Sequence, residues 1–176
     1  MTIPKDEQNR NEELALRLML QELPEDRSYD CVWFDGDKEP FLTVYSTTWK
    51  GLTRSDLVKE WTFNRYQLTG LGWIFALRLS GEFDSQEFKK KAGKLRAALR
   101  AALKKCPDDR KADNLVSMVH LQKETGLPES FIHNAIDSHL LYHIFSIQDA
   151  QWADDKMKGH IEVPLDFGVP VDQSSP

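Results

Sequence analysis

The segment from Asp84 to Cys106 most constrains the fold, because its apolar residues recur at the spacing of an amphipathic helix. One face of that helix is apolar: Phe88, Ala92, Leu95, Leu99, Ala102, Leu103 and Cys106. Asp84 and Glu87 have the spacing of a capping box, and Pro107 cannot continue the pattern. The spacing therefore predicts a helix over 84–106 with one buried face and one basic face.

The positive charge of the chain is concentrated on this helix. Residues 51–111 hold 14 Lys/Arg against 7 Asp/Glu, whereas residues 1–50 hold 6 against 11 and residues 112–176 hold 3 against 10. Such asymmetry indicates either a polyanion-binding surface or a solvated face that balances the acidic ends of the chain. If nucleic acid binds, eight basic side chains are expected on the phosphates: Lys89, Lys90, Lys91, Lys94, Arg96, Arg100, Lys104 and Lys105.

Before this helix, the pattern predicts one further helix and a β-hairpin. Leucines at helical spacing predict a helix over 7–22 that ends before Pro24. Residues 28–48 are rich in aromatic and β-branched residues and carry an Asp35-Gly36 turn signal, which predicts a hairpin.

Three shorter elements are predicted between the hairpin and the basic helix. A short helix capped by Thr53 or Ser55 comes first. Residues 61–69 alternate like a strand, and Thr69 is the expected N-cap of an apolar, buried helix over 70–79.

Five tryptophans are many for 176 residues, and four of them lie between residues 33 and 73. Core packing explains Trp73. Trp33, Trp49 and Trp61 are instead candidates for an interface, where tryptophan is enriched among the residues that dominate binding.

Residues 114–136 have the pattern of a helix-turn-helix. Gly126 lies where the turn needs a left-handed backbone, Leu127 is expected between the helices, and Pro128 suits the start of the second helix. Four residues give that helix its inward face: Phe131, Ile132, Ala135 and Ile136. Two strands, over 141–147 and 160–168, are expected to follow with a polar loop between them.

Two stretches resemble motifs of winged-helix proteins. The run from Leu121 to about Leu140 is similar to the L-x-x-x-T-G-[LV]-x-x-x-x-[VI]-x-x-[AL] pattern of winged-helix regulators. Residues 66–72, YQLTGLG, resemble the Y-x-L-T-x-x-G that closes a wing and opens the next helix. The resemblance implies an α+β fold with winged-helix-like modules, two of them if both matches hold. The expected division is a module over 7–83, a basic linker helix over 84–111, a module over 112–169 and a tail over 170–176.

The second helix of this helix-turn-helix is poorly suited to read DNA. It contains no Arg or Lys, and only His133 and Asn134 have side chains suited to base edges. The acidic C-terminal third favours a protein partner, or a second copy of the chain, over a nucleic acid.

Other chemistry has little support in the sequence. His139 and His143 are four residues apart, the spacing of two zinc ligands on one helix face, but no HExxH pattern is present and two partly buried histidines are the alternative. The two cysteines have no C-x-x-C spacing, and no nucleotide-binding or nucleophile-elbow motif occurs. No catalytic residue and no cofactor is predicted.

These observations predict a non-enzymatic regulatory or protein-interaction module on a winged-helix scaffold, with self-association as one form of interaction. The first alternative is a winged-helix nucleic-acid-binding protein that uses the basic helix, and the second is a histidine-based metal protein. A polar N-terminus and the absence of an apolar run of ~20 residues predict a cytoplasmic protein without a membrane partner.

Overall fold

The structure is a computed structural model that describes residues 5–105, 115–145, 151–152 and 160–162. The fold is α+β, as predicted. The described part contains seven α-helices: α1 Lys5–Gln21, α2 Ser46–Arg54, α3 Gly70–Ser80, α4 Gln86–Lys105, α5 Met118–Thr125, α6 Glu129–Asp137 and α7 Leu140–Phe145. It also contains six strands: β1 Phe34–Asp35, β2 Val58–Thr62, β3 Arg65–Leu68, β4 Leu115–Ser117, β5 Gln151–Trp152 and β6 His160–Glu162.

The chain divides into two compact units, Met1–Ser85 and Gln86–Pro176, here called unit 1 and unit 2. The predicted linker helix is α4, and it belongs to unit 2, where it contacts α5 and α7 and where Phe88 meets Phe131 edge to face at 5.6 Å. In its apolar stripe Ala92, Leu95 and Leu99 are fully buried, while Ala102 is half-buried.

Unit 1 is built around a small antiparallel sheet with the order β1-β3-β2. Helices α2 and α3 both pack on α1, and the inner face of the sheet buries Phe34, Val58 and Leu68. The predicted N-cap is confirmed, since Thr69 Oγ1 accepts a hydrogen bond from the Gly72 N–H at 3.0 Å.

The hairpin predicted over 28–48 is wrong. Only Phe34–Asp35 forms a strand there, between short 3-10 turns at Tyr29–Cys31 and Phe41–Thr43, and α2 already begins at Ser46. The aromatic residues that suggested strands pack instead on one another, as Phe41 does against Phe34 at 5.4 Å and Trp49 at 5.9 Å. Thr53 and Ser55 lie at the end of α2 and not at the start of a helix.

The single strand predicted over 61–69 is instead the end of β2, a turn and the whole of β3. Strands β2 and β3 pair antiparallel from Val58 opposite Leu68 to Thr62 opposite Arg65, with a bulge near Trp61. A two-residue turn joins them, and its Asn64 has a left-handed backbone with φ of 54°.

Unit 2 contains the predicted helix-turn-helix as α5 and α6. Gly126 has φ of 66°, Leu127 is buried, and Pro128 stands at the start of α6. Its sheet has the order β4-β6-β5.

The strand predicted over 141–147 is wrong where the structure describes it, because Leu140–Phe145 is helix α7 with Leu140 and Leu141 buried. The strand predicted over 160–168 is present as β6 at His160–Glu162, and the rest of that range, like the tail over 170–176, lies outside the described residues.

Candidate functional site

Three exposed aromatic residues lie on the sheet and the hairpin tip of unit 1. Trp33 precedes β1, Trp61 lies in β2, and Phe63 is in the turn between β2 and β3. Their side chains are 37%, 62% and 86% exposed. Because β1 and β2 flank β3, the indoles of Trp33 and Trp61 meet with their ring centroids 5.0 Å apart. We call these three residues the aromatic surface.

Strand periodicity places this surface on the solvent side of the sheet. Alternate residues of a strand point to opposite faces, and the inner face is taken by Val58, Tyr66 and Leu68. The bulge between Glu60 and Thr62 leaves Trp61 outside the regular ladder.

The hairpin tip is held in place by the loop after β1. The Gly36 N–H donates to the Asn64 carbonyl oxygen at 2.8 Å, and Asn64 Nδ2 donates to both carboxylate oxygens of Asp37 at 3.0 Å. The Asp37 N–H in turn donates to Asp35 Oδ1 at 3.1 Å. Phe63 is therefore exposed to solvent from a turn that these hydrogen bonds hold in place.

One cation lies on the aromatic surface, and two carboxylates lie near the buried Tyr66. Lys59 Nζ lies 5.1 Å from the ring centroid of Trp61, a cation–π contact. Burial raises the pKa of Tyr66, and the nearby carboxylates of Glu60 and Asp37 raise it further. A carboxylate of β2 and one of the loop after β1 thus both lie near Tyr66.

Trp49, the third tryptophan proposed for an interface, is not available to a partner. Its side chain is 3% exposed and stacks on Tyr66 with ring centroids 4.1 Å apart and planes inclined by 4°. Phe63, which the sequence analysis missed, takes its place; the signal that would have indicated this hairpin tip is the turn-forming Asn64.

The basic side chains of α4 divide into exposed and half-buried groups. Lys89, Lys90 and Lys94 are exposed, whereas Lys91 is half-buried and pairs with Glu87 at 3.0 Å.

Two arginines of α4 are also half-buried. Burial, together with the nearby charge of Arg100, lowers the pKa of Arg96 from its ordinary value. The side chains of Lys104 and Lys105 lie outside the described residues.

The two candidate base-reading residues of helix α6 are not exposed to solvent. Asn134 is 5% exposed and His133 is half-buried, while the exposed side chains include the acidic Glu129 and Asp137. A buried amide cannot reach the edge of a base, so Asn134 has no role in a nucleic-acid interface on this face.

The histidine pair is not brought onto one helix face. His139 has φ of 54° in the turn between α6 and α7, so the helix that the spacing required is interrupted there. The side chain of His143 lies outside the described residues, and the described ones contain no group of three or more His, Cys, Asp or Glu side chains fit to hold a metal ion.

The prediction that the chain has no membrane-spanning helix can be compared with the structure directly. In the part of the chain that the structure describes, every helix is too short or too polar to cross a bilayer.

A scan against family models and searches of curated proteins and of solved structures find no match to this chain.

Proposed function

We propose that the chain is a non-enzymatic protein-interaction module built from two winged-helix-like units. Each unit has a helix, a strand, a helical region and then two strands, and each sheet has the order first-third-second. The helical region is a 3-10 turn and one helix in unit 1 and three helices in unit 2. That order is the one expected of a winged helix, and it supports the resemblance of residues 66–72 and 121–140 to winged-helix motifs. In this reading β2 and β3 form the wing of unit 1.

The observation that carries the proposal is the aromatic surface, of which Trp61 and Phe63 lie on this wing and Trp33 lies just before β1. Exposed tryptophan and phenylalanine side chains are costly to leave in water, and tryptophan is enriched among the residues that dominate protein interfaces. Using ~150–250 Å² for a whole aromatic side chain, the exposed fractions of the three residues amount to roughly 280–460 Å² of ring surface. A patch of this size on a monomer is often functional.

Charge favours a protein over a nucleic acid on this surface. Unit 1 holds 10 Lys/Arg and 15 Asp/Glu, so its net charge is −5. The carboxylate of Asp37, which holds Asn64 at the hairpin tip, would repel a phosphate backbone.

A peptide-display experiment tests the proposal. The full chain is immobilised at a density too low for copies to meet and is exposed to a random-peptide library. We expect enriched peptides to lose roughly thirty-fold or more in affinity when Trp61→Ala or Phe63→Ala is introduced, the effect of losing an interface hot spot. Phe75→Ala, at an exposed aromatic of α3 outside the surface, is the matched control. No enrichment, or enrichment that ignores Trp61 and Phe63, contradicts the proposal.

Nucleic-acid binding through α4 is the second candidate, and the exposure of Lys89, Lys90 and Lys94 favours it. Anisotropy of labelled duplex and single-stranded DNA, titrated at low and physiological salt, tests this candidate. Phosphate binding must weaken steeply with salt and must be lost in Lys90→Glu/Lys94→Glu. Absence of binding at low salt eliminates it.

A further inference from the structure

The size of the aromatic surface favours a short peptide over a folded domain as its occupant. A standard interface covers about 800 Å² on each partner, whereas the exposed rings of Trp33, Trp61 and Phe63 amount to roughly 280–460 Å². One aromatic side chain of a partner buries ~150–250 Å². Two or three large side chains of a single peptide are therefore enough to cover the rings.

The register of the sheet places two cations on the same face as the indoles. On β3, Tyr66 points to the inner face, so its neighbours Arg65 and Gln67 point to the outer face. Lys59 of β2 lies opposite Gln67 and shares that outer face. Lys59 and Arg65 are both exposed. Lys59 precedes Trp61 along β2, and Arg65 lies nearer the hairpin turn, so the indole has a cation toward each end of the hairpin.

Lys59 is held where an anion could join it. Its Nζ atom lies 5.1 Å from the centroid of the Trp61 ring. In the described part of the chain, neither Lys59 nor Arg65 forms an ion pair. A cation that already rests on an aromatic ring loses little conformational freedom when a carboxylate binds it. Lys59 therefore offers a preorganised anion contact directly beside an apolar one.

The carboxylates of β1 and of the loop after it already have partners. Asp35 lies 3.6 Å from Lys38 Nζ, and Asp37 accepts hydrogen bonds from Asn64 Nδ2. Glu60 belongs to the inner face by its register. Among the strand residues that the structure describes on the outer face, the charged groups without an ion pair are therefore the two cations.

We propose that the occupant of the aromatic surface is a short acidic peptide in which carboxylates flank an apolar residue. This inference rests on the proposed function and names the chemical class of its partner. The apolar side chain packs on Trp33 and Trp61, while one carboxylate pairs with Lys59 and another with Arg65. An extended peptide advances about 3.3 Å per residue, so an acid within two positions of the apolar residue reaches a cation beside the indole.

A single-stranded nucleic acid is the alternative occupant, because bases also stack on exposed aromatic rings. Its backbone carries a negative charge at every nucleotide, and the Asp37 carboxylate opposes such a chain at the hairpin tip. A peptide can place its carboxylates at the two cations and a neutral residue at the tip. The charges of this surface therefore favour the peptide.

Peptide selection on variants of the full chain tests the inference. A random-peptide library is selected on the natural chain and on Lys59→Glu/Arg65→Glu. We expect the natural chain to enrich peptides of net negative charge, with an acid within two positions of an aromatic or aliphatic residue, and the variant not to enrich them. Lys50→Glu/Arg54→Glu makes the same charge changes at exposed positions of α2, which packs on the inner face through Trp49. This control should enrich the same acidic peptides as the natural chain.

Fluorescence anisotropy of a labelled, enriched acidic peptide measures the contribution of charge. Lys59→Gln/Arg65→Gln should weaken binding roughly three- to thirty-fold at low salt, the loss of two exposed ion pairs, and the difference should shrink at high salt. A peptide with amides in place of its carboxylates should bind the natural chain and this variant equally, because the interaction is then already removed. Circular dichroism of each variant checks that it is folded.

The possible outcomes separate the inference from the proposed function. Neutral or basic peptides that depend on Trp61 and Phe63 retain the proposed function and overturn the acidic partner. Acidic peptides that bind the charge variants as tightly as the natural chain also overturn it. So does a labelled single-stranded DNA that binds more tightly than the peptide and is lost in Trp61→Ala. Absence of any peptide that depends on Trp61 and Phe63 removes both.

Discussion

At the scale of single residues, two glycines in helices have opposite surroundings. Gly72 in α3 packs closely against the backbone of Leu57, the residue that precedes β2. A Cβ added at Gly72 would clash with the Leu57 carbonyl oxygen and lie 2.8 Å from the carbonyl carbon. The same atom added at Gly93 in α4 would stand in open space. Substitution of alanine at these two positions therefore compares the effect of the same added methyl group in a tight and in an open environment.

Gly72→Ala should destabilise unit 1, because the Leu57 backbone cannot move aside as a flexible side chain would. Overpacking of this kind costs about 1–3 kcal/mol. Gly93→Ala should instead stabilise its helix by about 0.5–1 kcal/mol, since alanine replaces glycine in a helix interior. Urea unfolding followed by circular dichroism measures both changes, and a neutral Gly72→Ala would show that the close approach is not rigid.

The pH dependence of unit 1 should reflect Tyr66. Burial, and then Glu60 and Asp37, raise its pKa in the folded state. The folded protein therefore holds this proton more tightly than the unfolded chain, so the contribution to stability is present below the unfolded pKa near 10 and is lost as the pH rises through the folded pKa.

Tyr66→Phe should make unit 1 less sensitive to alkaline pH. The free energy of unfolding, measured at a series of pH values above neutral, should fall less steeply for the variant than for the natural chain. Tyr45→Phe, at an exposed tyrosine, is the control and should not change the slope. Equal slopes for Tyr66→Phe and the natural chain would contradict the role of Tyr66.

At the scale of elements, the turn between α5 and α6 depends on one backbone conformation. Gly126 closes α5 with φ of 66°, and its N–H donates to the Gln122 carbonyl oxygen at 2.8 Å. A Cβ there meets no neighbour, so the cost of substitution is conformational and not steric.

Gly126→Ala should destabilise unit 2 by about 1–2 kcal/mol, the cost of a left-handed backbone for a residue with a Cβ. Gly126→Asn should cost less, because asparagine tolerates this conformation. Thermal unfolding followed by circular dichroism gives both values. An alanine variant as stable as the asparagine variant would refute the assignment of the turn.

At the scale of the whole molecule, the two units should be distinguishable in one unfolding experiment. Trp33, Trp49, Trp61 and Trp73 lie in unit 1, and Trp152 alone lies in unit 2. Indole fluorescence therefore reports mainly on unit 1, while far-ultraviolet circular dichroism reports on helices of both.

Gly72→Ala should shift the fluorescence transition in urea, whereas Gly126→Ala should shift the circular dichroism and leave the fluorescence midpoint nearly unchanged. Substitutions in separate units with no shared partners are expected to act independently. If both substitutions moved both signals equally, the chain would unfold as one cooperative body.

The sequence by itself determined the elements whose pattern is local. Helix α4, the cap at Thr69 and the left-handed turn at Gly126 follow from contacts within three or four residues along the chain, so their side-chain spacing is sufficient to predict them. The α+β class follows from the same local signals.

Only the tertiary structure decided what the aromatic residues do. Residues 28–48 have β propensity, yet Phe41 and Trp49 pack into a core with Tyr66, which is distant in sequence, and α2 forms where a strand was expected. Trp61 and Phe63 are left on the outside by the register of β2 and β3. Whether an aromatic side chain is buried depends on contacts between segments distant in sequence, and those contacts cannot be predicted from composition and local spacing.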